Sequence, residues 1–102
     1  MARRLIWSPD AAGDLDAIIR FIERDSPKYA SVVARDIFIA VERTLLFPEM
    51  GRIVPQLSGG THREVLAYSY RIIYRVHSDE IHVFAIIHGA RDLKTAIEGR
   101  KS

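Results

Sequence analysis

The residues of this chain best equipped for chemistry lie in Tyr70-Arg71-Ile72-Ile73-Tyr74-Arg75-Val76 and in His88-Gly89-Ala90-Arg91. A guanidinium stays charged at any accessible pH, so Arg71, Arg75 and Arg91 can hold a phosphate or carboxylate but cannot exchange protons. His88 can exchange them. Imidazole titrates near neutral pH, and a place beside Arg91 would suit a general acid or base; a structural hydrogen bond capping a strand end is the competing role. If residues 70–76 form a strand, Arg71, Ile73 and Arg75 point one way and Tyr70, Ile72, Tyr74 and Val76 the other. An unpaired buried guanidinium is costly, so the arginine face must meet water, an internal carboxylate or an anionic partner.

The remaining candidates carry less chemistry. Tyr68 is placed to stack on a base at the surface, whereas Tyr70 and Tyr74 belong to the apolar face. Trp7 is expected to pack at the start of the first helix, and Arg52 to fix its loop by bonding local carbonyls. His62, His77 and His82 read as loop or edge residues. No histidine pair has helical ligand spacing, and His82 and His88, on one face by parity, would be about 20 Å apart at ~3.3 Å per residue. With no cysteine in the chain, zinc-thiolate sites, disulfides and thiol chemistry are excluded. No metal and no cofactor is expected.

At 102 residues, 48% hydrophobic and 27% charged, the sequence fits a single domain spanning residues 1–102 around one core. No apolar run approaches the ~20 residues of a membrane helix, and Met1-Ala2-Arg3-Arg4 leads into too few apolar residues for a signal peptide, so a cytoplasmic protein is expected. Net charge is only +2. Its distribution is uneven, since residues 52–102 hold eight Lys/Arg against five Asp/Glu, and twelve of the fifteen basic residues are arginine. That composition favours planar, bidentate contacts with anions over diffuse lysine-type attraction.

The elements that must position these residues read as β-α-α-β-β-β. Arg3-Arg4-Leu5-Ile6-Trp7 predicts an opening strand. Ser8-Pro9 and Ser26-Pro27 each supply an N-cap serine with proline at the first helical position. The first helix carries the stripe Ala11, Leu15, Ile18, Ile19, Ile22; the second carries Ala30, Val33, Ala34, Ile37, Val41, Leu45 and ends before Pro48. Pro48 to Gly60 reads as loop. Segments 62–66, 70–76 and 81–88, joined by short turns, predict an antiparallel meander with the opening strand free to join its edge. The result is a small α+β domain, a helical hairpin on one face of a mainly antiparallel sheet. Residues 93–102 are expected to be a flexible tail or a solvated helix.

Trp7-Ser8-Pro9 with Ala12 and Asp14-Leu15, Phe47-Pro48 with Gly51-Arg52 and Val54-Pro55, Arg63, Tyr70-Arg71-Ile72 with Tyr74-Arg75, and His88-Gly89-Ala90-Arg91 together resemble the RelE/ParE superfamily of toxins from bacterial type II toxin-antitoxin systems. The resemblance implies a growth-arresting toxin, of the kind used in plasmid stabilisation, neutralised by a cognate antitoxin whose C-terminal segment wraps it in a hetero-oligomer. It also implies one of two targets. RelE-like members cleave messenger RNA on the ribosome, and Arg71 and Arg91 match arginines of that subfamily. Where RelE-like enzymes have lysines in the preceding strand and a C-terminal tyrosine, this chain has Arg63, Glu64 and Val65, and Ile97. RNA cleavage by 2′-hydroxyl attack needs proton transfer that arginine cannot provide, and ribosomal binding favours more charge than +2. The sequence is therefore read as ParE-like, a stoichiometric inhibitor of DNA gyrase rather than an enzyme; a RelE-like endoribonuclease using Arg71, His88 and Arg91 is the alternative, and a non-toxic interaction module the second. Target contacts are assigned to Arg63, Tyr68, Arg71, Arg75 and Arg91. Antitoxin contacts go to Arg35 and Arg43, which would pair with carboxylates of an acidic segment that folds as it binds.

Overall fold

The structure, a computed structural model, describes residues 3–100. Met1, Ala2, Lys101 and Ser102 lie outside the described residues, and with them both ends of the chain as read from sequence. The elements follow the expected order: β1 (Arg4–Trp7), α1 (Pro9–Glu23), α2 (Pro27–Leu46), β2 (Arg52–Ile53), β3 (His62–Ala67), β4 (Tyr70–His77), β5 (Glu80–His88) and α3 (Leu93–Ile97). One mixed five-stranded sheet has the order β1-β5-β4-β3-β2. β1 pairs with β5 in parallel, and the other neighbours are antiparallel.

Both Ser-Pro signals work as caps. Ser8 Oγ accepts from Ala11 N at 3.0 Å and Ser26 Oγ from Tyr29 N at 3.1 Å, each satisfying an amide that the first helical turn leaves open. Ala11 and Leu15 of α1 and Val33, Ile37 and Val41 of α2 meet Ile72, Val83 and Ile86 of the sheet. Leu45, assigned to the stripe of α2, is only half-buried; Thr44 takes the inward position, with its hydroxyl donating to the Val41 carbonyl. Trp7 packs against the helix-side core that Ala11 opens in α1, and its ring also meets Phe38 of α2 at a centroid distance of 5.7 Å.

The opposite face of the sheet has a second, smaller core. Ile73, Phe84, Ala85 and Ile87 lie there under Val54 and Leu57 of the 48–60 segment and Leu93 and Ala96 of α3. Two expectations change with it. The 48–60 segment is not wholly loop, because Arg52–Ile53 pairs with Glu64 and Arg63 of β3. Nor is the tail loose through residue 100: α3 buries Leu93 and Ala96, and Gly99, at φ 81°, turns the chain so that Arg100 bonds Asp14 of α1 through both carboxylate oxygens at 2.6 and 2.7 Å.

A bulge in β5 decides what each face presents. Ile73 pairs with Ala85 but Tyr74 with Val83, leaving Phe84 as the extra residue. Phe84 and Ala85 therefore both turn to the second core, and the face parity of β5 reverses beyond them. His82 pairs with Arg75, and His88 pairs with Tyr70 on the helix side. They do not share a face, contrary to simple alternation.

Candidate functional site

The alternation of β4 is as read: Tyr70 and Ile72 belong to the helix-side core, while Arg71, Ile73 and Arg75 take the other face. Arg71 there meets an internal carboxylate. Its Nε donates to Glu64 Oε1 at 2.6 Å, and Arg52 Nε donates to Oε2 of the same group at 2.6 Å. The Glu64 side chain is only 2% exposed and that of Arg71 18%. A carboxylate so enclosed needs both donors, so Arg71 and Arg52 act first as its counter-charges. Arg52 thus bonds a side chain across the β2–β3 ladder, not the local carbonyls expected of it.

Arg63 is engaged on the other face. It donates to the carbonyls of Gly51 at 2.8 Å and Glu49 at 3.2 Å. Beside it, Tyr74 donates its hydroxyl to the Pro48 carbonyl and accepts from Gly51 N at 2.9 Å. Gly51 is required at this contact, since an added Cβ would lie 2.6 Å from that hydroxyl and 2.8 Å from the Glu64 carbonyl. Arg63 and Tyr74 together fasten the 48–51 turn.

At the far end of β4, Arg75 is half-buried and has no hydrogen bond or ion pair among the described residues. It lines a small cavity with Ser8, His62, His82 and Phe84. His62 is no loop or edge residue in its environment: it is 1% exposed, stacked on Phe84 at 5.0 Å, with Nδ1 3.1 Å from the Thr61 hydroxyl and Nε2 without a partner. Burial, reinforced by the Arg75 charge, lowers its pKa below the ordinary 6.5. His82 bonds Glu80 at 2.9 Å, and Arg4 bonds the same carboxylate at 2.6 Å. Those contacts, His82 first, hold the Glu80 carboxyl below its usual range.

His88 and Arg91 form a separate place on the helix side. With Tyr70, Ile86 and the α1 residues Asp14, Ala17, Ile18 and Phe21 they line a groove of about 420 Å³. His88 Nδ1 accepts from Ala90 N at 3.1 Å, the strand-end bond considered for it, and its ring stands edge-on to Tyr70 at 5.5 Å. That bond occupies the Nδ1 lone pair and leaves Nε2 as the ring nitrogen open to other partners. Arg91 is exposed and its guanidinium has no partner among the described residues. Phe21 is 65% exposed at the rim. The structure thus brings His88 and Arg91 together and puts Arg71 on the opposite face of the sheet.

Tyr68 and the two helix arginines define a third place. Tyr68 has φ 55° at the first position of the β3–β4 turn, is half exposed, and donates its hydroxyl to Asp36 at 2.7 Å. That bond raises the Tyr68 pKa and lowers that of Asp36. Between the hairpin and α2 runs an open groove of about 540 Å³, lined by Asp36, Ile39, Ala40, Arg43, Leu66, Ala67 and Tyr68. Ile39 and Leu66 are exposed along it. Arg35 is exposed beside it and pairs with Asp36 at 3.3 Å.

Sequence reading missed Glu64 as the clamp of two arginines, Asp14 as the acceptor of Arg100, and the buried character of His62. The first had a signal: Glu64 and Arg71 lie at parities that meet on one face once Tyr68-Ser69 closes the hairpin. The other two had none. Among the described residues, no group of histidine and carboxylate side chains could hold a metal ion, and no helix is long and apolar enough to cross a membrane.

Residues 5–93 match the family model of the ParE toxin of the type II toxin-antitoxin system parDE. Among solved structures the fold is similar to a chain of a chromosomal ParDE TA system from P. aeruginosa, with a TM-score of 0.70 and 24% identity over 85% of this chain and 96% of that one. No curated protein sequence gives a significant match.

Proposed function

Because this chain belongs to the ParE toxin family of type II toxin-antitoxin systems, we propose that it is a stoichiometric inhibitor of DNA gyrase held inactive by a cognate protein antitoxin. The observation that carries the choice of target class is the separation of Arg71 from His88 by the thickness of the sheet. Cleaving RNA requires charge stabilisation and proton transfer at one phosphate. Here the sheet arginine is committed to Glu64, the histidine lies on the other face with its Nδ1 in use, and arginine moves no protons. That arrangement supports binding without bond cleavage.

Of the residues assigned to the target, Arg91 and Arg75 have free guanidinium groups among the described residues, and Tyr68 has an exposed ring. Arg63 and Arg71 act from behind, holding the 48–51 turn and Glu64. Arg91 and Phe21 border the α1 groove, where a cation beside an exposed aromatic ring suits a protein surface with acidic and apolar groups.

The antitoxin is assigned to the groove between α2 and the β3–β4 hairpin. Exposed Ile39 and Leu66 would take apolar residues of an amphipathic segment, and Arg35 and Arg43 its carboxylates. Induction of the chain alone in bacteria tests the reading as a whole. Growth arrest with a DNA-damage response, reversed by co-expressed antitoxin, is expected. Arrest with translation blocked and messenger cut would reverse the choice of target, and undisturbed growth would favour a non-toxic module.

A further inference from the structure

One carboxylate holds both flanks of the segment that carries Arg91. β1 pairs with β5 only as far as Val83, so Asp14 Oδ2 stands in for a strand further along that edge, accepting from Ile86 N at 2.9 Å. Beyond Arg91 the chain returns to the same group. α3 packs on the opposite face of the sheet through Leu93 and Ala96, and the turn at Gly99 brings Arg100 back to Asp14, which it grips with two bonds of 2.6 and 2.7 Å. The pair is well enclosed, at 15% and 14% side-chain exposure. Asp14 is also the acid among the residues lining the α1 groove, where Arg91 stands exposed with no partner among the described residues. A free guanidinium and a free carboxylate in one groove would close into an ion pair. Here both oxygens are already taken. The acid next to Arg91 in sequence, Asp92, is occupied too, capping α3 by accepting from Thr95 N at 3.1 Å and from the Thr95 hydroxyl at 2.7 Å.

We propose that Arg100 is a positioning residue for Arg91: by saturating Asp14 it keeps the Arg91 guanidinium unpaired and presented to the partner at the α1 groove. The inference rests on Arg91 being a target contact. Of the two arginines, Arg100 holds Asp14 because it bonds both oxygens in a fork at low exposure, the geometry in which a guanidinium and a carboxylate pair most strongly. Arg91 could offer only a more exposed pair, of the kind worth little. Without Arg100, Asp14 would keep its bond to Ile86 N but lose its counter-charge, and Arg91 is the guanidinium in the groove that would replace it. The free cation would then turn inward. A side chain that touches no target thus decides whether the one that does is available.

The reaction of Arg91 with phenylglyoxal, followed residue by residue by mass spectrometry on the full chain, reads its pairing without any target. A guanidinium held by a carboxylate reacts more slowly than a free one. Arg100→Gln should slow modification of Arg91 about fivefold, the scale of one partly exposed ion pair. Adding Asp14→Asn to Arg100→Gln should restore the wild-type rate, because the amide oxygen still accepts from Ile86 N but carries no charge to capture Arg91. Arg100→Lys keeps the charge but lacks the fork that covers both oxygens, so it should slow the reaction about twofold, and it gives the same test should Arg100→Gln fail to fold. Urea midpoints show which variants are folded. Inhibition of gyrase should follow the same order, impaired in Arg100→Gln and recovered in the double variant. A clamp that serves structure alone predicts no recovery, since removing the second partner cannot repair a lost tie. Unchanged Arg91 modification in the folded Arg100 variants, or slowing that persists in the double variant, would overturn the proposal. Reactivity as expected with no change in gyrase inhibition would uphold the control of Arg91 and count against the gyrase reading instead.

Discussion

Arg71 and Arg75 sit four residues apart on one face of one strand, and their surroundings are opposites. Around Arg71 the charges are engaged: the single carboxylate of Glu64 is shared by two guanidinium groups, and the neighbouring apolar face is covered by Val54, Leu57 and α3. Around Arg75 the cover ends, the cation lacks a carboxylate and a buried imidazole nitrogen is unpaired. One end is held by side-chain ion pairs, and at the other Arg75 has no such partner among the described residues. Residue type alone does not distinguish them; the difference comes from what the adjacent strand places opposite, Glu64 near one and His62 beside the other.

Substitutions should separate the two ends. Glu64→Leu leaves Arg71 largely buried without its counter-charge and should cost about 3 kcal/mol, seen as a lower midpoint in urea unfolding. Tyr74→Phe removes the hydroxyl that joins Pro48 to Gly51 and so loosens the turn leading to Arg52; a loss of roughly 1.5 kcal/mol is expected in the same assay. At the other end the signature is pH. His62 has a lowered pKa and is kept neutral by the fold, so the unfolded chain takes up a proton first. Its stabilising contribution is complete above the unfolded value of about 6.5 and is lost as pH falls below it toward the depressed folded value. The slope of stability against pH in that window should flatten in His62→Gln. Smallest of all should be Arg75→Gln, within about 0.5 kcal/mol of the wild type in stability, since no bond is removed. A large loss there would mean the two ends do not differ as described.

Much of the frame was legible because local signals agreed with one another. The two Ser-Pro pairs cap helices in the structure as they read in the sequence, and the alternation of residues 70–76 gives the correct faces. What escaped depended on contacts between distant residues. In Val83-Phe84-Ala85-Ile86 every residue is apolar, so the pattern fits either parity, and the bulge that moves His88 to the helix side leaves no trace in residue type. Arg100 finds Asp14 across 86 residues of sequence. The short β2 pairing, two residues long, offers no periodicity to read. The candidate site suffered most from these omissions, because arginine and histidine were recognised as chemically able residues while the partners that occupy them, Glu64 and the Ala90 amide, were not.

A supercoiling assay with purified gyrase tests the central claim most directly. The account predicts that the chain at micromolar concentration stops supercoiling and accumulates linear, cleaved DNA, that the cognate antitoxin reverses this, and that Arg91→Ala weakens it without unfolding the protein. Unimpaired gyrase, together with cleavage of messenger on ribosomes by the same preparation, would contradict it.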